Sequence, residues 1–129
     1  MTRRRFHGID IQDFGQMIYL LNSPVLTAYG EWDFSGPLSL QTARKRLNGQ
    51  QVVSAIGHAA SAALLTRLLA RPVEVSRVAV QLRPGDSALV LRLLDRLPEG
   101  MVLDEHQIAA MPYELGWLHY AGHGPQKSG

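Results

Sequence analysis

The chain has 129 residues, 46% of them apolar and 19% charged, enough for one domain with a core of its own. The absence of cysteine excludes a disulfide scaffold and a thiolate metal site, and no apolar run approaches the ~20 residues of a membrane span. The net charge is +2, and from Met17 onward 10 basic residues stand against 9 acidic ones, so a broadly basic nucleic-acid binder is excluded as well.

Residues 1–16 have no clean period and read as an N-terminal extension, with Arg3–Arg5 as a solvated charge run. This basic start lacks the apolar segment of a signal peptide, which fits a cytoplasmic setting. Met17–Leu21 is a compact apolar run, short enough for a strand buried on both faces. Asn22 and Ser23 end it, and polar residues at the carboxyl end of a buried strand are where open α/β sheets place ligand contacts. Tyr29–Phe34 suggests a second strand or hairpin arm. Ser39 then caps a helix over Leu40–Leu47, stopped at Asn48-Gly49, with Arg44, Lys45 and Arg46 in its last turn.

The central stretch is VVSAIGHAASAALLTRLL, Val52–Leu69. It begins β-branched, turns at Gly57 and continues as a helix with Leu64, Leu65, Leu68 and Leu69 at core spacing. His58 falls in the expected first helical turn. Amides there have no intrahelical acceptor and the helix dipole is positive, so a phosphate binds well and Gly57 lets the backbone approach it. A histidine in that place is most often a cap or a surface residue; beside an anion-seeking helix end it is also a candidate for phosphodiester chemistry.

Val75–Leu82 alternates, with Val78, Val80 and Leu82 on one side and Arg77 on the other. Across the turn Pro84-Gly85-Asp86 it is expected to pair antiparallel with Ala88–Leu94, a central strand. Arg96–Gly100 reads as a loop, Met101–Leu103 as a short extended piece, and Asp104 as the cap of a small helix over Glu105–Met111. Tyr113–Tyr120 alternates as a last strand, and 121–129 reads as a loose glycine-rich tail. The fold class is therefore α/β: a single domain over 17–120 with a mixed sheet of about five strands flanked by helices. Two helices of useful length cover only part of such a sheet, which suggests a homodimer. His7, His106, His119 and His123 have no partner at metal-ligand spacing, so neither a metal nor another cofactor is expected.

Several of these positions together resemble the viral ring nucleases, type III anti-CRISPR enzymes with relatives in host CRISPR operons. The resemblance runs over Ala55-Ile56-Gly57-His58 leading into the helix, Ser76-Arg77-Val78, Arg96-Leu97-Pro98-Glu99-Gly100, and Leu20-Leu21-Asn22. It covers Met17 to about Tyr120. Val25 stands where related viral proteins carry serine, and Ala60 takes the place of a serine that Ser61 follows. The resemblance implies a homodimer that binds cyclic tetra-adenylate and cuts it without metal into linear di-adenylates, in the host-cell cytoplasm if the chain is viral. It implies that His58 is catalytic with Glu99 supporting it, and that Arg77 and Arg96 hold the substrate. Asn22 would belong to the pocket floor, with Ser23, Gly57 and Ser61 beside the ligand.

The residue types suit that chemistry. Attack by a ribose 2′-hydroxyl needs positioning, stabilisation of charge on the phosphorane, and a proton for the leaving 5′-oxygen. An imidazole, with an ordinary pKa of about 6.5, supplies such a proton near neutrality. Guanidinium forks match phosphate oxygens better than an ammonium does. Each arginine taken singly also has a plain reading, Arg77 as a solvated strand residue and Arg96 as a partner of Asp95 or Glu99. The competing functions are a binding module that holds the cyclic nucleotide uncut, a small nucleic-acid-binding regulator using the N-terminal arginines, and a structural homodimer. Neither a membrane nor DNA is an expected partner.

Overall fold

The computed structural model describes residues 16–95 and 104–123. The chain runs β1 (Ile18–Leu21), β2 (Glu31–Ser35), α1 (Leu40–Leu47), β3 (Val52–Ser54), α2 (Ala59–Leu69), β4 (Ser87–Leu93), α3 (Glu105–Ala109) and β5 (Tyr113–Gly122). The strands form one mixed sheet in the order β2-β5-β4-β1-β3, and its five-stranded mixed character is as expected. β1 sits between β3 and β4 and is parallel to both, whereas β5 is antiparallel to β4 and to β2. The extension assigned to 1–15, the loop with Arg96 and Glu99, the piece Met101–Leu103 and the tail from 124 lie outside the described residues.

Alternation along the strands divides two apolar layers. Leu20, Leu89, Leu91 and Leu115 face the helices, where Ala43 and Leu47 of α1, Leu64, Leu65 and Leu69 of α2 and Ile108 of α3 close over them. The helices form here because their apolar positions recur at three and four residues and their ends are capped. Ser39 Oγ accepts from the Thr42 amide at 3.0 Å, and Asp104 and Gln107 make a reciprocal capping box. α3 is shorter than the Glu105–Met111 expected, ending at Ala109 ahead of Pro112. The Pro ring disfavours helical backbone in the residue before it.

On the other face Leu21, Ala88, Val90, Leu118 and Tyr120 are covered by loops, not helices. The cover comes from the 24–30 segment and from Val80 and Leu82. This corrects one expectation: Val75–Leu82 is not a strand and does not pair with β4. Both edges of β4 are already occupied, by β1 and β5. In this segment only Val75 makes a bridge, parallel to Ile56, and the rest crosses the sheet as an extended strap. An extended segment with one side against a sheet shows the same period of two as a strand, with no ladder needed. Leu82 is fully buried while Val78 stays exposed.

The strap ends at a tight corner. Asp86, 1% exposed, accepts from the Met17 amide at 2.9 Å and the Arg83 amide at 2.8 Å, and the Gly85 amide donates to Tyr120 O at 2.8 Å. Tyr19 packs on the same side; burial and the Asp86 charge push its hydroxyl above its ordinary pKa, with Arg83 opposing. Among the described residues no helix is long and apolar enough to cross a membrane.

Candidate functional site at the carboxyl ends of β1 and β3

β1 and β3 are parallel neighbours, so their carboxyl ends open at the same pole of the sheet. The Ala55 amide donates to Leu20 O at 2.9 Å, which holds the exit of β3 against β1. The chain then turns through Ile56 and Gly57 into α2. His58 is not inside the first turn of the helix but is its N-cap, with φ −120° and ψ 128°. Its Nδ1 accepts from the Ala60 amide at 3.3 Å, as a Ser or Asn side chain does in that position. With Nδ1 serving as acceptor, the neutral ring carries its hydrogen on Nε2, which is left for the exterior. His58 is exposed.

Arg77 comes to the same place from the strap. The Ser76 amide donates to Ile56 O at 2.8 Å and fixes the approach, and Arg77 Nε donates to Gly57 O at 2.8 Å. A guanidinium bound to the carbonyl of residue 57 lies beside the cap residue that follows it. Gly57 is needed for this: a Cβ there would stand 3.1 Å from Arg77 Cγ. The backbone of Gly57 is not in the left-handed region, so close approach is what selects the glycine, not an unusual φ.

Asn22 and Ser23 are exposed just past β1 and line a cavity of about 140 Å³ together with Val25, Thr27, Ala55 and Val78. Val78 follows Arg77 and Ala55 lies two residues before Gly57, so the cavity adjoins the His58–Arg77 pair. Thr27 fastens its far wall, where Oγ1 accepts from the Leu82 amide at 3.2 Å. The structure thus gathers Asn22, Ser23, Gly57, His58 and Arg77 at one pole. Ser61 differs: it is 2% exposed in the first turn of α2 and does not share the surface of the others. Arg96 and Glu99 lie outside the described residues. The wall formed by Ala55, Val78 and Val80 was missed in the sequence. Its only trace is the alternation of 78–82, which there indicated a strand.

An exposed imidazole, a guanidinium bound to the preceding carbonyl and the N-terminus of an eleven-residue helix are groups of the kind that anions pair with. The polar cavity mouth at Asn22 and Ser23 adds hydrogen-bonding groups next to it. Among the described residues, no three His, Asp or Glu side chains gather as they would around a metal ion.

The fold defines a small single-domain α/β protein with a five-stranded mixed sheet. Over residues 18–115 the chain matches the STIV B116-like family, and it belongs to that family. Two relatives come from viruses of Sulfolobus and Acidianus. Protein 26 of Sulfolobus islandicus filamentous virus (isolate Iceland/Hveragerdi) is 31% identical over 106 residues, covering 79% of this chain and 89% of its own. The ORF117 protein of Acidianus two-tailed virus is 35% identical over 108 residues, covering 79% of this chain and 92% of its own. The solved structure of B116 of Sulfolobus turreted icosahedral virus aligns with a TM-score of 0.63 at 23% identity, covering 80% of this chain and 98% of B116. That likeness supports the single α/β domain and its five-stranded sheet.

Proposed function

We propose that this chain is a metal-independent ring nuclease that binds cyclic tetra-adenylate between two subunits and cuts it to linear di-adenylates, ending type III CRISPR signalling. The observation that carries the reading is the 2.8 Å bond from Arg77 Nε to Gly57 O, which sets a guanidinium beside His58 at a helix N-terminus. The motif resemblance supplies the substrate class, and the viral relatives supply a setting, the cytoplasm of an infected cell, in which such an activity is useful.

In this reading Arg77 and the free amides of α2 take the scissile phosphate, and Arg96 adds a second fork. A ribose 2′-hydroxyl attacks the adjacent phosphorus, the P–O5′ bond breaks, and a 2′,3′-cyclic phosphate and a 5′-hydroxyl result. For this step the ring acts as the imidazolium, its Nδ1 released from the Ala60 amide: His58 gives the Nε2 proton to the departing 5′-oxygen and returns to the neutral cap, the 2′-hydroxyl proton passes to water, and Glu99 supports the ring. General-acid assistance of this kind is worth ~10²–10⁴-fold. Two copies of the pole across a dyad match the rotational symmetry of a cyclic tetranucleotide, one scissile bond to each subunit.

The test is cleavage of labelled cyclic tetra-adenylate in EDTA by wild type, His58→Ala and His58→Asn. Asparagine restores the cap without the imidazole, so His58→Asn is expected to recover the ~1 kcal/mol of stability that His58→Ala loses. Both variants should bind the ring and leave it nearly uncut. A His58→Asn protein that cleaves at the wild-type rate would overturn the reading, as would a fully active monomer in sedimentation.

A further inference from the structure

A second anion-binding place lies at the opposite pole, where α1 and α2 end. The two helix termini flank a groove of about 560 Å³ lined by Gln41, Arg44, Lys45, Asn48, Ala70 and Arg71 among others, and no carboxylate lines it. The sign of its field follows from a short count. Two helix carboxyl termini contribute about half a negative charge each. Arg44, Lys45 and Arg71 contribute three positive charges, which leaves the groove about two charges positive. The other cations of these helices are engaged elsewhere: Arg46 lies over the Trp117 ring, 4.9 Å from its centroid, and Arg67 is paired with Glu105 at 2.6 Å.

The groove is also shaped in advance. Arg44 donates from Nε and Nη2 to Leu68 O at 2.8 and 2.6 Å, so its guanidinium is held in place while it closes the end of α2. Ala70 adopts φ 57° and ψ 38°, the left-handed conformation that glycine normally takes at a helix end. For an alanine this backbone is strained, and it turns the chain so that Arg71 lines the groove. Strain of this kind persists where the surroundings impose it and gathers at ligand sites. The amides of Gln41 and Asn48 add neutral donors.

We infer that this groove binds a multiply charged phosphate ligand, a di- or triphosphate group, independently of the ring nuclease site. A surplus of about two charges suits an anion of at least that charge, and guanidinium and amide donors suit phosphate oxygens. No aromatic side chain lines the groove, so recognition ends at the phosphates and a nucleoside attached to them adds little.

The test is calorimetric titration of the full chain with sodium tripolyphosphate and, separately, with ATP at low ionic strength. It compares wild type with Lys45→Gln, Lys45→Gln/Arg71→Gln and Arg77→Ala. Arg44 is left alone because it closes α2. The expected result is binding of both phosphates with similar affinity, weakened about tenfold or more in the double variant, partly in Lys45→Gln, and kept in Arg77→Ala. Unchanged binding by the double variant, or loss in Arg77→Ala alone, would place the phosphate at the other pole and end the proposal. Poly-glutamate binding as tightly as tripolyphosphate would overturn the assignment to phosphate.

Discussion

Replacing Gly57 by alanine separates the architecture of the His58–Arg77 pole from its stability. The new methyl would stand 3.1 Å from Arg77 Cγ, closer than ordinary contact, and the Arg77 stem must move to relieve it. Moving the stem breaks the Nε bond to Gly57 O, a loss of about 0.5–1.5 kcal/mol. Alanine restricts the unfolded chain and returns about 0.4–1 kcal/mol, because residue 57 is not in a backbone region closed to it. The two terms nearly cancel, so thermal unfolding followed by circular dichroism should shift by only a few degrees in either direction. Ligand binding has no such compensation. On the proposed function, a guanidinium removed from the phosphate it holds forfeits about 1.5–3 kcal/mol, or roughly ten- to a hundredfold in affinity for cyclic tetra-adenylate. Measured on a His58→Asn background, where the ring stays uncut, the affinity should fall by that factor while stability holds. Wild-type affinity in the Gly57→Ala protein would refute the claim that the placement of Arg77 matters. A loss of stability well beyond 1 kcal/mol would refute the packing argument.

Other outcomes follow from the rest of the fold. Asp86→Ala strips two part-buried amides of their acceptor and should destabilise the domain by about 2–6 kcal/mol in denaturant titration, at 1–3 kcal/mol for each orphaned donor. Gly30 has φ +132°, and a Cβ there would meet Gly122 O at 2.6 Å, so Gly30→Ala should cost at least about 2 kcal/mol. Tyr19 holds its proton more tightly in the folded state than the ordinary value of 10.0. Its contribution to stability is therefore complete below that pH and lost as pH rises through the folded value. An ultraviolet titration should show a late phenol ionisation that Tyr19→Phe removes.

Where the sequence carried a local signal, it predicted the structure. β1 and β4 are apolar runs too short for helices, Ser39 and Asp104 cap the helices that follow them, and the Leu64-Leu65-Leu68-Leu69 spacing marks the buried side of α2. The strap departs from the strand that its alternation suggests for a reason rooted in geometry. Alternation registers extended backbone with one covered side, and whether a neighbour completes a ladder depends on which strand edges remain open. Here β1 and β5 close both edges of β4, and they are separated from it by 65 and 19 residues of chain. His58 stands one position before the first turn that the sequence suggests for it. A histidine accepting through Nδ1 does the work of the usual small polar cap, and composition does not announce it. In the sequence His58, Arg77 and Arg96 stand out only through their joint spacing and the family resemblance, and Asn22 and Ser23 only as polar residues ending a strand, since each alone fits a turn, a cap or a solvated surface.

The corner at Asp86 has a practical corollary for handling the molecule. Met17 is tethered there by its amide, and Gly122 lies close enough that a Cβ on it would touch the Pro84 ring at 2.9 Å. The domain's entry and exit therefore leave side by side, at the far end of the sheet from His58. A partner fused directly at Met17 or Gly122 would start from the pole away from the imidazole. A short linker joining Met17 to Gly122, with new ends opened at an exposed turn such as Asn48-Gly49, should give a circularly permuted protein with the His58 pole intact.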